Sequence, residues 1–388
     1  MNTSSALQSA DRSEWKSAIQ AALVLTIGMG FGRFAFTAIY PHMVDEGVLS
    51  LRGGSLAASA NYAGYLLGAL LAVRLRAHKA HWFCQLSILG TALCLTVLAL
   101  LTSTGTIVAV RGLAGLFSAL SMVAASLWLL EHRGHSWGAP LLYAGVGVGI
   151  AVSAELLVLA EAMGLDSFGM WLMLGIATLA IGLMAAPAFL TGDGGRGIVE
   201  GLRKTAPSNA DAAIVAAWPL ILIYGLAGLG YIVTATYLPT LVKTAFPDLD
   251  PAHVWAVFGL GAAPSCYLWH RVHDRLGTRR ALRLNLIIQA CGVALPVALG
   301  SGAGYLLSAL LVGGTFMGTV TIAMPAAQRA ARQAGANLLA TMTLAYGIGQ
   351  IIGPLLTDGL YALSHTFASS LLAAAAALII ATLISFRL

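Results

Sequence analysis

Four ionisable side chains lie inside segments that are otherwise apolar: Arg33, Arg111, Glu155 and Asp358. A charge at the centre of a helix in a lipid bilayer costs about 2.5–3.5 kcal/mol on insertion scales, so such residues usually face a water-filled pathway. Arg33 or Arg111 could hold an anionic group, and Glu155 or Asp358 could take up a proton. An anion bound at the arginine would weaken its attraction for the carboxylate and favour protonation there. The alternative for Arg111 and Glu155 is a static ion pair between two helices.

Aromatic and amide side chains are further candidates, because some of them recur at helical spacing and would form polar stripes on the helices. Arg33 continues a stripe with spacings of three and four residues, and Tyr224 and Tyr231 begin a second stripe later in the chain. Further candidates for such walls are Tyr62, with Tyr65 near it on the same helix, Tyr346 and Gln350. A cation that faces aromatic hydroxyls suits a ligand with one anionic end and an apolar or ring-bearing body. The alternative for each tyrosine is an interhelical hydrogen bond, which is common in membranes.

The elements that must position these residues are membrane-spanning helices. The chain has 388 residues, of which 9% are charged and 59% are hydrophobic, whereas a soluble domain carries about 25% charged residues. Because a solvated surface needs polar groups, this composition excludes a soluble enzyme, a nucleic-acid-binding protein and a disordered chain. The sequence therefore predicts an all-α, multi-pass membrane protein that is surrounded by the lipid bilayer.

Twelve apolar segments are long enough to cross a bilayer, which takes about 20 residues. They cover residues 17–44, 53–77, 81–102, 107–131, 137–163, 168–190, 214–242, 253–273, 280–300, 304–328, 336–361 and 366–386. Seventeen Lys and Arg residues lie in or beside the loops of one side, against Arg52 and Lys243 on the other. Because positively charged loops stay in the cytoplasm, we expect both termini there and the protein in a bacterial inner (plasma) membrane.

An internal repeat divides the chain into two halves. A shift of 198 residues places the Gly-x-Gly pair that begins at Gly30 on the pair that begins at Gly228, and Pro41 on Pro239, without a gap. Both segments would cross the membrane in the same direction, so we predict a parallel pseudo-twofold repeat. The stretch between the halves is rich in glycine and mixed charges, which is typical of a linker. The predicted units are an N-terminal six-helix bundle over 1–190, a cytoplasmic linker over 191–213 and a C-terminal six-helix bundle over 214–388.

Three short stretches carry recognisable motifs. Residues 30–35 read G-F-G-R-F-A, residues 111–115 read R-G-L-A-G, and residues 274–280 read D-R-L-G-T-R-R. With the six-plus-six arrangement, these stretches resemble the major facilitator superfamily, and the first resembles its YbfB/YjiJ-type branch. By that resemblance, all four buried charges lie on helices that line or flank a central cavity.

The resemblance also implies a gate in the loop between the eighth and ninth helices. Its residues are Asp274, Arg275, Gly277, Arg279 and Arg280. In this interpretation Asp274 caps a helix, pairs with Arg279 or Arg280, and clamps the inner gate. The alternative is a solvated loop whose arginines only set the topology.

The family resemblance implies a secondary transporter that moves a small organic solute by alternating access. Arg33 and Arg111 favour an organic anion, and the buried carboxylates favour coupling to protons. The alternative is proton-driven efflux of amphiphilic drugs or sugars, with arginines that are structural. The identity of the substrate, the direction of transport and the choice between symport and antiport stay open. The antiporter-type pattern G-x-x-x-G-P occurs at 349–354 and not in the fifth helix, so the sequence does not favour antiport.

A membrane-embedded enzyme is the competing class. Glu131-His132 is the one pair that could begin acid–base chemistry, and no phosphate loop or nucleophile elbow accompanies it. Three H-x-x-H pairs lie in or beside loops without a cysteine or carboxylate cluster, so no metal site is predicted. We expect no enzymatic activity and no cofactor. The expected partners of the monomer are a small-molecule substrate and protons, with no nucleic acid.

Overall fold

A computed structural model describes residues 3–190, 217–246, 250–334 and 338–388. Throughout these ranges the regular structure is helical and contains no β-strand. The α-helices are α1 (Thr3–Leu25), α2 (Ala35–Asp45), α3 (Leu51–Ala72), α4 (Ala80–Leu98), α5 (Thr104–Ser126), α6 (Ala139–Ala162), α7 (Ser167–Ala185), α8 (Pro187–Leu190), α9 (Ala217–Ala245), α10 (Pro251–Leu299), α11 (Gly302–Ala334), α12 (Leu338–Ser364) and α13 (Ala368–Ile384). The predicted linker at 191–213 lies outside the described residues.

The helices have the length and apolarity of membrane spans. Within the described part of the chain, ten helical segments are long and apolar enough to cross a membrane. The 49 residues of α10 would extend about 74 Å at 1.5 Å per residue, against a hydrocarbon core of about 30 Å. Gly277 interrupts α10 with φ 74° and ψ 167°, a conformation that glycine adopts without steric cost. Two helical stretches therefore meet at Gly277.

Burial is distributed as lipid surroundings require. Large apolar side chains cover the outside of the bundle, among them Leu183 and Leu363, which are 76% and 82% exposed. By contrast, every residue from Val24 to Pro41 is buried. This stretch forms a central rod in which a π-helical segment, Thr26–Phe34, joins α1 to α2.

Glycine allows the central rod to contact α6 at the backbone. A Cβ atom added to Gly30 would lie 2.4 Å from the Gly149 backbone, and one added to Gly149 would lie 2.6 Å from the Thr26 carbonyl oxygen. In α12, a Cβ on Gly349 would likewise lie 2.3 Å from the Gly225 carbonyl oxygen of α9. Small residues let membrane helices approach closely. The rod–α6 and α9–α12 pairs are thus built in the same way.

Arg111 holds the π-helical segment. Its Nη1 donates to the Gly32 carbonyl at 2.9 Å and its Nη2 donates to the Arg33 carbonyl at 3.0 Å. Its guanidinium carbon lies 4.5 Å from the centre of the Phe36 ring. Buried carbonyls need donors, and α-helical bonding is altered along a π-helical stretch. Arg111 of α5 therefore satisfies two backbone carbonyls of the rod, one of which belongs to Arg33 itself.

Two contacts join residues that are 198 positions apart, the offset of the sequence repeat. The Thr37 hydroxyl donates to the Ala235 carbonyl at 2.8 Å, and Lys243 pairs with Asp45 at 2.5 Å. Pro239 has no N–H, so the Ala235 carbonyl lacks its helical donor and accepts from Thr37 instead.

Further polar contacts link α3 to the later helices near the same end. The Tyr237 and Ser55 hydroxyls are 2.7 Å apart, and those of Tyr62 and Thr236 are 2.9 Å apart. We call this end of the bundle, where α2 and α9 terminate, the Asp45 end. Several hydrogen bonds and an ion pair therefore join the two halves of the chain at the Asp45 end.

Replacement of Gly30 by alanine tests the backbone contact between the rod and α6. Overpacking costs about 1–3 kcal/mol, so we expect Gly30→Ala to lower the thermal unfolding temperature in detergent. The matched control is Gly359→Ala in α12, where an added Cβ meets nothing within 4 Å. Equal unfolding temperatures for the two variants would contradict the close contact.

Replacement of Arg111 by leucine tests its bonds to the rod. The change leaves the Gly32 and Arg33 carbonyls without their side-chain donor, at about 1–3 kcal/mol for each unsatisfied group. We expect Arg111→Leu to unfold at a lower temperature than wild type, while Arg52→Leu at an exposed position does not. A variant as stable as wild type would show that these two bonds do not support the fold.

Candidate functional site

Arg33 is a buried cation without an acidic partner in the described structure. It projects from the π-helical segment and is 3% exposed. Its Nε and Nη1 are buried and have no hydrogen-bond partner among the described residues. Hydrogen-bonding groups this deeply buried are normally satisfied. The guanidinium therefore has free donors that an anion could accept from.

Three aromatic rings form a cage around this guanidinium. Its central carbon lies 4.0 Å from the ring centre of Tyr65, 5.0 Å from that of Tyr62 and 5.3 Å from that of Phe34. A cation against an aromatic face gains about 0.5–2 kcal/mol, with the upper part of that range when desolvated. These contacts offset part of the cost of a charge in the bundle interior, but they leave the Nε and Nη1 donors unused.

A second layer of rings continues from the cage into the other half of the chain. Phe34 meets Phe316 at 6.0 Å with an edge-on geometry, and Phe316 stacks on Tyr231 at 5.2 Å and 17°. Tyr231 stacks in turn on Tyr346 at 5.9 Å and 19°, and Tyr346 contacts Tyr224 at 4.5 Å. We call Phe316, Tyr231, Tyr346 and Tyr224 the aromatic wall.

Gln350 lies against this wall with part of its amide unused. Its Nε2 and the Tyr231 hydroxyl are 2.5 Å apart, and its Oε1 is buried without a partner among the described residues. The structure thus brings six of the predicted substrate-binding residues into one continuous cluster: Arg33, Tyr62, Tyr224, Tyr231, Tyr346 and Gln350. The chemistry of the cluster is one cation, one half-satisfied amide, and flat apolar faces.

Sequence reasoning misses two members of this cluster. Phe34 directly follows Arg33 in the chain, and that adjacency was the one available signal. Phe316 lies in an apolar stretch of α11 that resembles any packed core, so nothing in the sequence distinguishes it.

Arg111 lies beside the cluster, but both of its terminal nitrogens are bound to carbonyls of the rod. The alternative of an Arg111–Glu155 ion pair is not realised here. Glu155 instead pairs with His253 of α10 at 3.0 Å, and both side chains are about half exposed, at 52% and 51%. The pair joins α6 of the first half to α10 of the second.

Asp358 lies on α12, partly buried, in the electrostatic surroundings of Tyr40 and Tyr237. Nearby, a cavity of about 650 Å³ opens at the Asp45 end between helices of the two halves. The Asp45–Lys243 pair, Tyr361 and His365 contribute to its lining. Asp358 is thus associated with the Asp45 end rather than with the Arg33 cage.

The predicted gate residues surround the break in α10. Gly277 supplies the positive φ that the break requires, and Arg275, Arg279 and Arg280 are exposed. Asp274 lies 3.5 Å from His270 and 3.9 Å from His273. Its expected ion pair with Arg279 or Arg280 is not formed in this structure; the two imidazoles take that position.

Two solved structures share the architecture. One is a bacterial homologue of the human lysosomal transporter Spinster, in an inward-facing and unoccupied conformation, with 13% identity, a TM-score of 0.68 and 96% of each chain covered. The other is the nucleoside transporter NupG, in a single-substitution variant, with 12% identity, a TM-score of 0.67, and 95% of this chain and 99% of that one covered. At this identity the likeness establishes the fold.

No curated protein matches the chain in sequence. A family model does match, over residues 25–386, and it is described as the uncharacterised MFS-type transporter YbfB. The family resemblance seen in the motifs is thereby confirmed, and the competing interpretation as an enzyme is set aside. The chain belongs to the YbfB-type family of major facilitator superfamily transporters, multi-pass membrane proteins that move small molecules.

Proposed function

We propose that this protein is a secondary active transporter that moves a small organic anion by alternating access, coupled to protons. The observation that carries the proposal is the unpaired guanidinium of Arg33, buried between the two halves of the chain. A charge in that position is costly, and a transport site for an anion gives a physical reason to keep it. The protein acts as a monomer, with its substrate, protons and the lipid bilayer as partners and no cofactor.

The proposed topology has twelve spans in two six-helix bundles, with residues 191–213 as the linker between them. The twelve follow when α10 is divided at Gly277 and the 22-residue α3 is included. The contacts between residues 198 apart support a parallel repeat, because equivalent residues of two repeats meet near a pseudo-twofold axis. The basic loops favour a bacterial inner-membrane protein with cytoplasmic termini.

In this topology the Asp45 end faces outward: a cavity opens to its surface, and contacts between the two halves close the path from there to Arg33. The hydrogen bonds from Thr37 and Tyr62 to α9, and the Asp45–Lys243 pair, support closure there. The main packing partners of α1 are α5, α6 and α7 of its own half, whereas α2 packs against α9 and α10. Arg33 would therefore be reached from the cytoplasmic side in this conformation, and the opposite rocking of the halves would expose it outward.

Glu155 and Asp358 are the proposed sites of proton coupling. The Glu155–His253 pair bridges the two halves, so protonation of the carboxylate would weaken a contact that holds one conformation. Asp358, at the Asp45 end, would act on the same closure. Asp274, Arg275, Gly277, Arg279 and Arg280 form the proposed gate at the opposite end, where the break at Gly277 supplies a hinge.

The second candidate function is proton-driven efflux of amphiphilic drugs or sugars. The bonds from Arg111 to the rod favour it, because they make one of the two arginines structural. Arg33 decides between the two functions, since it has no comparable structural partner.

Transport by purified protein in liposomes tests the role of Arg33. With an imposed pH gradient, we expect uptake or release of at least one organic carboxylate, and at least about a tenfold loss in Arg33→Ala, equivalent to about 1.4 kcal/mol. Arg52→Ala is the control, because Arg52 is exposed and outside the cluster. Full anion transport by Arg33→Ala would contradict the anion site; transport of neutral amphiphiles alone would favour the second candidate.

The pH dependence of the same transport tests Glu155. We expect Glu155→Gln to lose most of the stimulation by the proton gradient, since an amide does not bind the proton. Glu161→Gln is a matched control on the same helix: Glu161 also lies near a histidine, His42 at 3.8 Å, but that pair stays within the first half. If Glu155→Gln kept its full pH dependence, coupling through Glu155 would be wrong.

A further inference from the structure

We infer that the Arg33 site takes aromatic monocarboxylates: ligands with one carboxylate attached to a flat, conjugated ring. The inference rests on the proposed anion transport and names its substrate class. Three features of the cluster carry it: one available cation, parallel aromatic faces, and one unused amide atom.

The charge of the ligand follows from the two arginines. Arg33 is a single buried cation whose Nε and Nη1 have no hydrogen-bond partner among the described residues, and one carboxylate neutralises one such charge. Arg111, the neighbouring cation, donates from both terminal nitrogens to the Gly32 and Arg33 carbonyls and has only its Nε without a partner among the described residues. A second carboxylate would therefore lie among rings and an amide, where a desolvated charge without a partner is costly. The site accommodates a monoanion and disfavours a dianion.

The shape of the ligand follows from the aromatic wall. Tyr231 is stacked on Phe316 with an interplanar angle of 17° and on Tyr346 with one of 19°, and Phe34 connects these rings to the cage of Arg33. A flat ring that separates two of these rings, whose centres now lie 5.2 and 5.9 Å apart, restores face-to-face contacts with both, whereas a puckered saturated ring of equal size does not. Loss of stacking weakens binding roughly two- to tenfold.

Gln350 adds a finer preference. Its side chain is 2% exposed, and one polar atom of its amide has no partner among the described residues while the other contacts the Tyr231 hydroxyl. Because the wall links Tyr231 to the Arg33 cage through Phe316 and Phe34, the amide stands at the ring side of the site. A hydroxyl on the ligand ring would satisfy that atom, so hydroxybenzoates should bind more tightly than benzoate.

The test is equilibrium binding to the full-length purified protein, measured by calorimetry with benzoate, three matched probes and 4-hydroxybenzoate. Benzoate has the proposed chemistry; cyclohexanecarboxylate lacks the flat ring, benzamide lacks the charge, and phthalate adds a second carboxylate. We expect benzoate to bind, cyclohexanecarboxylate to bind roughly two- to tenfold more weakly, and benzamide and phthalate to bind at least about tenfold more weakly than benzoate.

The same binding measurements on variants show which residue is responsible for each ligand preference. Arg33→Ala should abolish benzoate binding and Arg33→Lys should retain part of it. Arg52→Ala, at an exposed position that is not part of the cluster, should bind as wild type does. Phe316→Leu should narrow the ratio of benzoate to cyclohexanecarboxylate affinity, even if the Arg33 variants fold poorly. Gln350→Leu should remove the advantage of hydroxybenzoates over benzoate.

The inference is overturned if cyclohexanecarboxylate or phthalate binds as tightly as benzoate. It is also overturned if a folded Arg33→Ala variant still binds benzoate. If no probe binds while another anion shows Arg33-dependent transport, the substrate class is wrong and the proposed transport of an anion survives. If benzoate binds at Arg33 but nothing crosses the liposome membrane, the assigned ligand stands and the proposed transport fails.

Discussion

One buried cation constrains the whole interior of this protein. Arg33 lies in the central rod of a bundle whose outer surface is made for lipid, and in the described structure it has no carboxylate beside it. The faces of Tyr62, Tyr65 and Phe34 stabilise its charge without using its hydrogen bonds. A guanidinium stabilised in this way remains stable without a ligand and still has donors for one. This combination suits a site that must fill and empty.

The surrounding fold keeps that cation in place. Close contact between Gly30 and Gly149 fixes the rod against α6, and Arg111 binds the carbonyls of Gly32 and Arg33. The two arginines therefore have unlike tasks: one is bonded to the backbone and the other points into a cluster of rings. The partners of that cluster come from both halves of the chain, so a ligand at Arg33 would contact both halves. The proposed alternating access requires such a shared site.

The sequence predicts what depends on local pattern. The position of Arg33, the helical periodicity of Tyr224 and Tyr231, and the family motifs are all visible in linear order. What it does not predict depends on which helices meet. The acceptors of Arg111 are backbone carbonyls of a π-helical segment, which side-chain identity does not reveal, and Phe316 looks like an ordinary core residue. The partner of Glu155 is His253, 98 residues away on a helix of the other half.

The most direct measurement is diffraction from crystals of the protein soaked in 4-bromobenzoate, with data collected at the bromine absorption edge. The account predicts one bromine peak beside Phe316 and Tyr231, with the carboxylate of the ligand on the Arg33 guanidinium. Bromine found only in the cavity at the Asp45 end, together with an Arg33 guanidinium that remains unliganded, would contradict it.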